Sequence, residues 1–270
     1  NKQSDLPIGV FDSGVGGLTV LKAIQEALPH ENLIYLGDTA RLPYGTKSPA
    51  SIERYATQAA AKLQELGIKL LVVACNTASA VALDALREAM APLPVVGVVE
   101  PGAMAAAAAH PGGRHLVLAT EATVALGAYS KAITARDPDA VVREQACEML
   151  VSLAEEGWSD GDIARAIVLR YLDEADGHNP DTIILGCTHF PLLKDTIQCV
   201  ADPGVTLVDS ASTAADVVRA ALAADGSTRD SDQPGTLRLL ATDGATRFAR
   251  VGGQFLGRDL SFSDVELVDL

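Results

Sequence analysis

Lys69-Leu-Leu-Val-Val-Ala-Cys75-Asn-Thr-Ala78 aligns without a gap on Asp181-Thr-Ile-Ile-Leu-Gly-Cys187-Thr-His-Phe190. In each stretch an apolar run leads straight into a cysteine, then a small polar residue, then a pattern that starts a helix. A continuous apolar run of this length predicts a strand buried on both faces, as in a parallel sheet. A second, weaker pair is Ile8-Gly-Val-Phe-Asp12-Ser13-Gly14 with Leu116-Val-Leu-Ala-Thr120-Glu-Ala-Thr123. The repeat predicts two related halves.

Outward from these blocks, apolar runs alternate with amphipathic stretches. Further strands are expected at 33–36, 95–98, 206–208 and 237–241, beside 8–11, 70–74, 115–119 and 182–185. Apolar residues at three- and four-residue steps predict helices over 18–27, 51–66, 78–89, 160–175 and 211–223. Strands alternating with helices define an α/β fold. The expected architecture is two pseudo-symmetric, doubly wound domains with mainly parallel sheets and the active site in the cleft between them. The first would cover residues 1–98 and 209–270, the second 99–208. Residues 224–235, rich in Gly, Ser and Asp, read as a solvated loop.

The 270 residues include 48% hydrophobic and 21% charged residues, an ordinary soluble balance. A formal net charge of −14 argues against nucleic acid as a direct partner, since phosphate binding needs a basic face. No run of eighteen apolar residues exists to span a membrane. The stretch 1–5 lacks the apolar segment of a secretory leader, so a cytoplasmic location with reduced thiols is expected.

No cysteine or histidine spacing suggests a metal site, so the four cysteines are read as thiols. Cys147 and Cys199 lack polar context and are read as packing residues. Cys75 and Cys187 fall at carboxyl ends of strands, where α/β sheets place their ligands. Nearby helix N–H groups are expected to favour thiolate there.

Two thiols on opposite sides of one cleft suit inversion of a stereocentre: one removes the Cα proton, the other returns a proton to the other face. A thiol titrates near enough to neutrality for both roles. Asp12 at the end of the first strand is a candidate helper for Cys75, and His189 for Cys187. Asn76, Thr77 and Thr188 offer donors to a carboxylate, and the polar stretch 37–46 reads as a binding loop. Glycines 14, 16 and 17 miss the dinucleotide fingerprint because position 19 is Thr. No lysine beside the cysteine motifs is placed to carry pyridoxal phosphate, so no cofactor is expected.

The blocks at 11–20, 37–49, 74–80, 97–102 and 185–193 resemble the signature blocks of glutamate racemases, in the same order, from residue 8 to about 257. Aspartate and hydantoin racemases share the wider superfamily, but Cys-Thr-His at 187–189 and Asp-Ser-Gly-Val-Gly-Gly at 12–17 resemble the glutamate branch. The resemblance implies cofactor-independent interconversion of L- and D-glutamate, supplying D-glutamate for peptidoglycan. It implies that Cys75, helped by Asp12, acts on the D-enantiomer and Cys187, helped by His189, on the L-enantiomer. Glu155 would support the second thiol. Asp12, Ser13, Pro43, Tyr44, Gly45, Asn76, Thr77, Thr120, Thr123 and Thr188 would contact glutamate. A homodimer is the family expectation. Some members bind DNA gyrase, which nothing in these residues supports. Some carry an N-terminal extension linked to activation by a cell-wall precursor, which a first strand at residue 8 does not lead one to expect. Ser152 and Leu126 depart from the family pattern, which puts the local geometry of the second half in question.

Overall fold

The computed structural model describes residues 3–175 and 179–270. Asn1 and Lys2, part of the stretch read for a leader, lie outside them. Two fully parallel sheets form the frame. The first has the order β10-β9-β2-β1-β3-β4 and the second β6-β5-β7-β8. Their strands are β1 (Ile8–Asp12), β2 (Leu33–Gly37), β3 (Leu70–Val73), β4 (Val95–Val96), β5 (Arg114–Ala119), β6 (Val141–Ala146), β7 (Thr182–Leu185), β8 (Thr206–Asp209), β9 (Leu237–Ala241) and β10 (Val265–Leu267).

The repeat seen in the sequence is a repeat of topology. The run β2-β1-β3-β4 has the same neighbour order as β6-β5-β7-β8. Cys75 follows β3 and Cys187 follows β7, each beside the central strand of its sheet. Asp12 and Thr120 hold equivalent places at the ends of β1 and β5.

Two strands lie outside the expected set. β6 runs Val-Val-Arg-Glu-Gln-Ala on a sheet edge and is half exposed, so it lacks the apolar run that marked the others. β10 is a three-residue edge strand. β4 is shorter than expected, because the helix α4 (Val99–Ala109) already begins at Val99.

The helices cover the sheets as the periodicity requires. α2 (Pro49–Glu65) and α3 (Asn76–Met90) enclose one core with the first sheet, from Phe11 and Val73 to Ile52 and Ala82. α4, α5 (Glu121–Ala125) and α6 (Ala128–Arg136) cover a face of the second. On the other side one apolar cluster runs unbroken from Ile8 and Val10 to Leu116, Leu118 and Ile183, joining the halves. α1 (Leu18–Ala27), α10 (Ala211–Asp225) and α11 (Ala245–Leu256) supply its roof. The alanine run 105–109 belongs to α4. Among the described residues no helix is long and apolar enough to cross a membrane.

The stretch 224–235 is mostly exposed, as expected of a solvated loop, but it is tied down. It begins inside α10, and its backbone is pinned by, among others, Ser227 O, which accepts Lys69 Nζ at 2.8 Å, Arg229 N, which donates to Glu31 Oε1 at 2.8 Å, and Gly235 N, which donates to Pro29 O at 2.9 Å. The buried Lys69–Glu31 pair needs the first two of these once it is out of water. Cys147 is packed in the core, but Cys199 is exposed on α9 (Lys194–Val200). Thr196 and Ile197 take the inward face of that short helix, which leaves Cys199 outside.

Candidate active site

The carboxyl ends of β1, β3, β5 and β7 converge on one small cavity of about 40 Å³. That is well below the usual size of a small-molecule site, so a bound substrate has to push the walls apart. Both repeated cysteines line it, buried to 5% and 7% exposure. Ser13, Pro43, Tyr44, Gly45, Asn76, Thr77, Thr120, Thr188, His189 and Glu155 line it as well. Asp12 and Thr123 stand behind the wall instead. Asp12 accepts the Gly14 amide at 2.9 Å, and Thr123 meets Thr120 hydroxyl to hydroxyl at 3.1 Å.

Hydrogen bonds between the halves close the cavity. Thr77 Oγ1 and Thr120 Oγ1 are 2.8 Å apart, Thr19 Oγ1 donates to Thr188 O at 3.0 Å, and the Tyr129 hydroxyl donates to Asn76 Oδ1. The last contact leaves the buried Asn76 Nδ2 with two unsatisfied protons. A buried amide donor at a cavity wall is a ready partner for an acceptor on a ligand.

The glycines that failed the dinucleotide pattern serve close approach. A Cβ on Gly16 would lie 2.4 Å from both His189 Nδ1 and Thr188 Oγ1, and one on Gly17 would lie 2.5 Å from Asp12 Cβ. The loop after β1 therefore presses against the residues after Cys187.

The thiols have different helpers. Cys75 is the N-cap of α3; its sulfur accepts the Ala78 amide at 3.4 Å and lies 3.7 Å from Ser13 Oγ. Asp12 acts on it through charge and makes no hydrogen bond to the sulfur among the described residues. Burial, then the charge of Asp12, push the Cys75 thiol up to about 12. The expected thiolate-favouring effect of the helix start is thus outweighed by desolvation. Asp12 is itself raised by burial, against the His189 charge and the Gly14 and Gly17 amides.

Cys187 precedes a short 3₁₀ turn, Phe190–Leu193, rather than the expected α-helix. Its charge partner is a side chain. Cys187 Sγ is 3.7 Å from His189 Nδ1, and His189 Nε2 is 2.8 Å from Glu155 Oε1 on α7 (Glu148–Glu156). Burial alone would lower His189, but Cys187 and Glu155 outweigh it and raise the imidazole to about 10. His189 therefore carries its proton at neutral pH and offers compensation to negative charge on the Cys187 sulfur. Burial would push Glu155 up, yet His189 and Arg247 together hold it below the usual carboxylate value.

Leu42, within the stretch read as a binding loop, lines the cavity too, and Val151 and Glu148 do so without having been foreseen. Glu148 follows β6, the strand the sequence pattern concealed; reading β6 as the twin of β2 would have found it. Neither departure from the family pattern reaches the cavity. Ser152 is exposed on α7, and Leu126 faces a groove beside Pro49, Arg54 and Val81.

Residues 8–218 match the family model for Asp/Glu/Hydantoin racemase. This chain belongs to the Asp/Glu/hydantoin racemase family. Among its racemase relatives, a glutamate racemase from Geobacter metallireducens is 49% identical over 97% of this chain and 96% of its own. The crystal structure of a Francisella tularensis glutamate racemase in complex with D-glutamate superposes with a TM-score of 0.91 at 35% identity, covering 98% of both chains. A Thermus thermophilus glutamate racemase in complex with beta-chloro-D-alanine gives a TM-score of 0.87 at 41% identity, covering 99% of this chain and 98% of the other.

Proposed function

We propose that this chain interconverts L- and D-glutamate without a cofactor. One thiol takes the Cα proton and the other returns a proton to the opposite face. The reading is carried by one observation: the two equivalent strand ends of two equivalent sheets deliver both thiols to the same closed cavity. Near full-length similarity to glutamate racemases supports the substrate.

Cys75 would serve the D-enantiomer with Asp12 acting behind it, and Cys187 the L-enantiomer with His189 and Glu155. The resting protonation fits one direction of that cycle. A thiol held up to about 12 keeps its proton and acts as the acid, while a protonated His189 supports the base on the other side. After one turnover the proton inventory is reversed and the enzyme is set for the other enantiomer. Ser13, Pro43, Tyr44, Gly45, Asn76, Thr77, Thr120 and Thr188 would hold the carboxylates and the ammonium, with Asp12 and Thr123 steadying that wall. Residues 1–98 with 209–270, and 99–208, would be the two domains whose closure excludes water. A cytoplasmic homodimer supplying D-glutamate for peptidoglycan completes the proposal.

The test is proton exchange in deuterated water. L-glutamate, D-glutamate and L-aspartate are incubated separately, and loss of the Cα proton is followed by NMR. Rapid exchange for both glutamates and little for aspartate is expected. Faster exchange with aspartate would overturn the substrate assignment, and none with any would overturn the racemase reading.

A further inference from the structure

α7 presents two carboxylates to the cavity, Glu148 from its first position and Glu155 two turns later. The fold treats them in opposite ways. Glu155 is ion-paired with both His189 and Arg247. Glu148 has no ion-pair partner among the described residues. Among the described residues its Oε1 accepts only the Glu121 amide, at 2.6 Å. It also sits at a tight seam, since a Cβ on Gly45 would lie 3.2 Å from that oxygen and 2.9 Å from Thr120 Cβ. No Lys or Arg lines the cavity.

A dicarboxylic amino acid carries net negative charge into this space. Like charges held close in a water-poor site cannot all remain ionised, and one group takes up a proton. We infer that Glu148 is a substrate-binding and specificity residue: it receives the dicarboxylate in its protonated form and donates that proton as a hydrogen bond to one substrate carboxylate. The inference rests on the acidic amino-acid reading of the site. The titratable groups around Glu148 are Glu121, Cys147, Tyr171 on α8 (Gly161–Glu174), and His189 across the cavity. Burial pushes the carboxyl up and Glu121 adds to it, against the amide bond and His189. Glu155 already has its cations and does not compete for the proton.

A bound complex that holds one proton more than the free enzyme must weaken as pH rises. Between about pH 6 and 8 the substrate's own charges are constant, and Cys75 and His189 titrate above that window, at about 12 and about 10. The experiment measures KM for glutamate across this range in the wild type, in Glu148→Gln, and in Glu156→Gln as an exposed control on the same helix. In the wild type KM should approach an about tenfold rise per pH unit, the slope for one linked proton. Glutamine donates a hydrogen bond without titrating, so Glu148→Gln should show a flat KM that falls below the wild-type value at the upper end. Glu156→Gln should follow the wild type.

A second measurement needs no variant. Racemic glutamate is titrated calorimetrically into the wild-type protein in two buffers of different protonation enthalpy, and uptake of about one proton is expected near pH 8. Turnover with a pH-independent wild-type KM, a slope retained in Glu148→Gln, or no proton uptake would each overturn the inference. Absence of any glutamate turnover or binding would instead overturn the substrate reading, and this inference with it.

Discussion

Glu155 joins two halves of the molecule through its two oxygens: Oε1 accepts His189 Nε2 at 2.8 Å, and Oε2 accepts Arg247 Nη2 at 2.9 Å. His189 follows β7 of the second sheet, whereas Arg247 sits on α11, which packs on the first. Two turns along α11, Phe255 stands edge-on to the His189 ring with centroids 5.1 Å apart. One helix of the first half thus orients the helper of the second half's thiol.

Cys187 and Glu155 together hold His189 protonated, and replacing Glu155 by Gln removes the second of them. Activity should drop by about 10- to 100-fold, part of the roughly 10²–10⁴-fold that positioned proton transfer contributes. The raised His189 value should fall, so the alkaline limb of kcat/KM should move to lower pH. Arg247→Ala removes a cation beside the pair and should leave the limb in place or move it slightly to higher pH, a small effect because Arg247 is half exposed and screened by solvent. An unmoved pH profile in Glu155→Gln would break the proposed link between these residues.

Cys75→Ser and Cys187→Ser should each lower turnover in both directions by several orders of magnitude. A serine hydroxyl is far too weak an acid to form a useful base near neutrality. Circular dichroism of the amino acid follows the reaction. Near-normal rates from either variant would end the two-thiol mechanism.

Gly16→Ala forces a methyl to within 2.4 Å of His189 Nδ1 and Thr188 Oγ1. The imidazole must shift from its place beside Cys187, and a displacement near 1 Å can cost about 100-fold in rate. The variant should remain folded, with kcat reduced far more than the melting temperature. Normal kcat would show that the His189 position is not critical.

Lys69→Met leaves Glu31 buried without its cation, since both side chains are at most 2% exposed. Breaking one partner of such a pair destabilises by about 3–5 kcal/mol. The double variant Lys69→Met, Glu31→Leu should recover much of that loss in urea unfolding. A double variant no more stable than the single one would mean that the ties to Ser4 and Ser227 matter more than the charge.

Stability should fall as pH rises from about 6.5 towards 10. His189 is raised from 6.5 to about 10 in the folded state, so its contribution is complete below 6.5 and lost as pH climbs to about 10. Cys75, raised to about 12, adds a loss of the same sign once unfolded thiols ionise, at roughly 8.5. Urea midpoints of the wild type and of His189→Gln across this range give the check, the variant showing the shallower decline.

The sequence by itself determined the frame. Buried parallel strands need uninterrupted apolar runs, and those runs, repeated before Cys75 and Cys187, are readable without coordinates. Hence the strand ends carrying Asp12, Cys75, Thr120 and Cys187 were legible. β6 was not, because an edge strand tolerates Arg143, Glu144 and Gln145, and with it Glu148 was hidden. Only the tertiary structure decided how each thiol is tuned. Helix position alone favours thiolate at Cys75, but the depth of burial and the charge of Asp12 reverse the sign. Likewise the pairing of His189, Glu155 and Arg247 spans segments far apart in the chain. Local pattern records which atoms must leave water; the electrostatics of a site depend on what surrounds them once they have, and those neighbours come from every part of the fold.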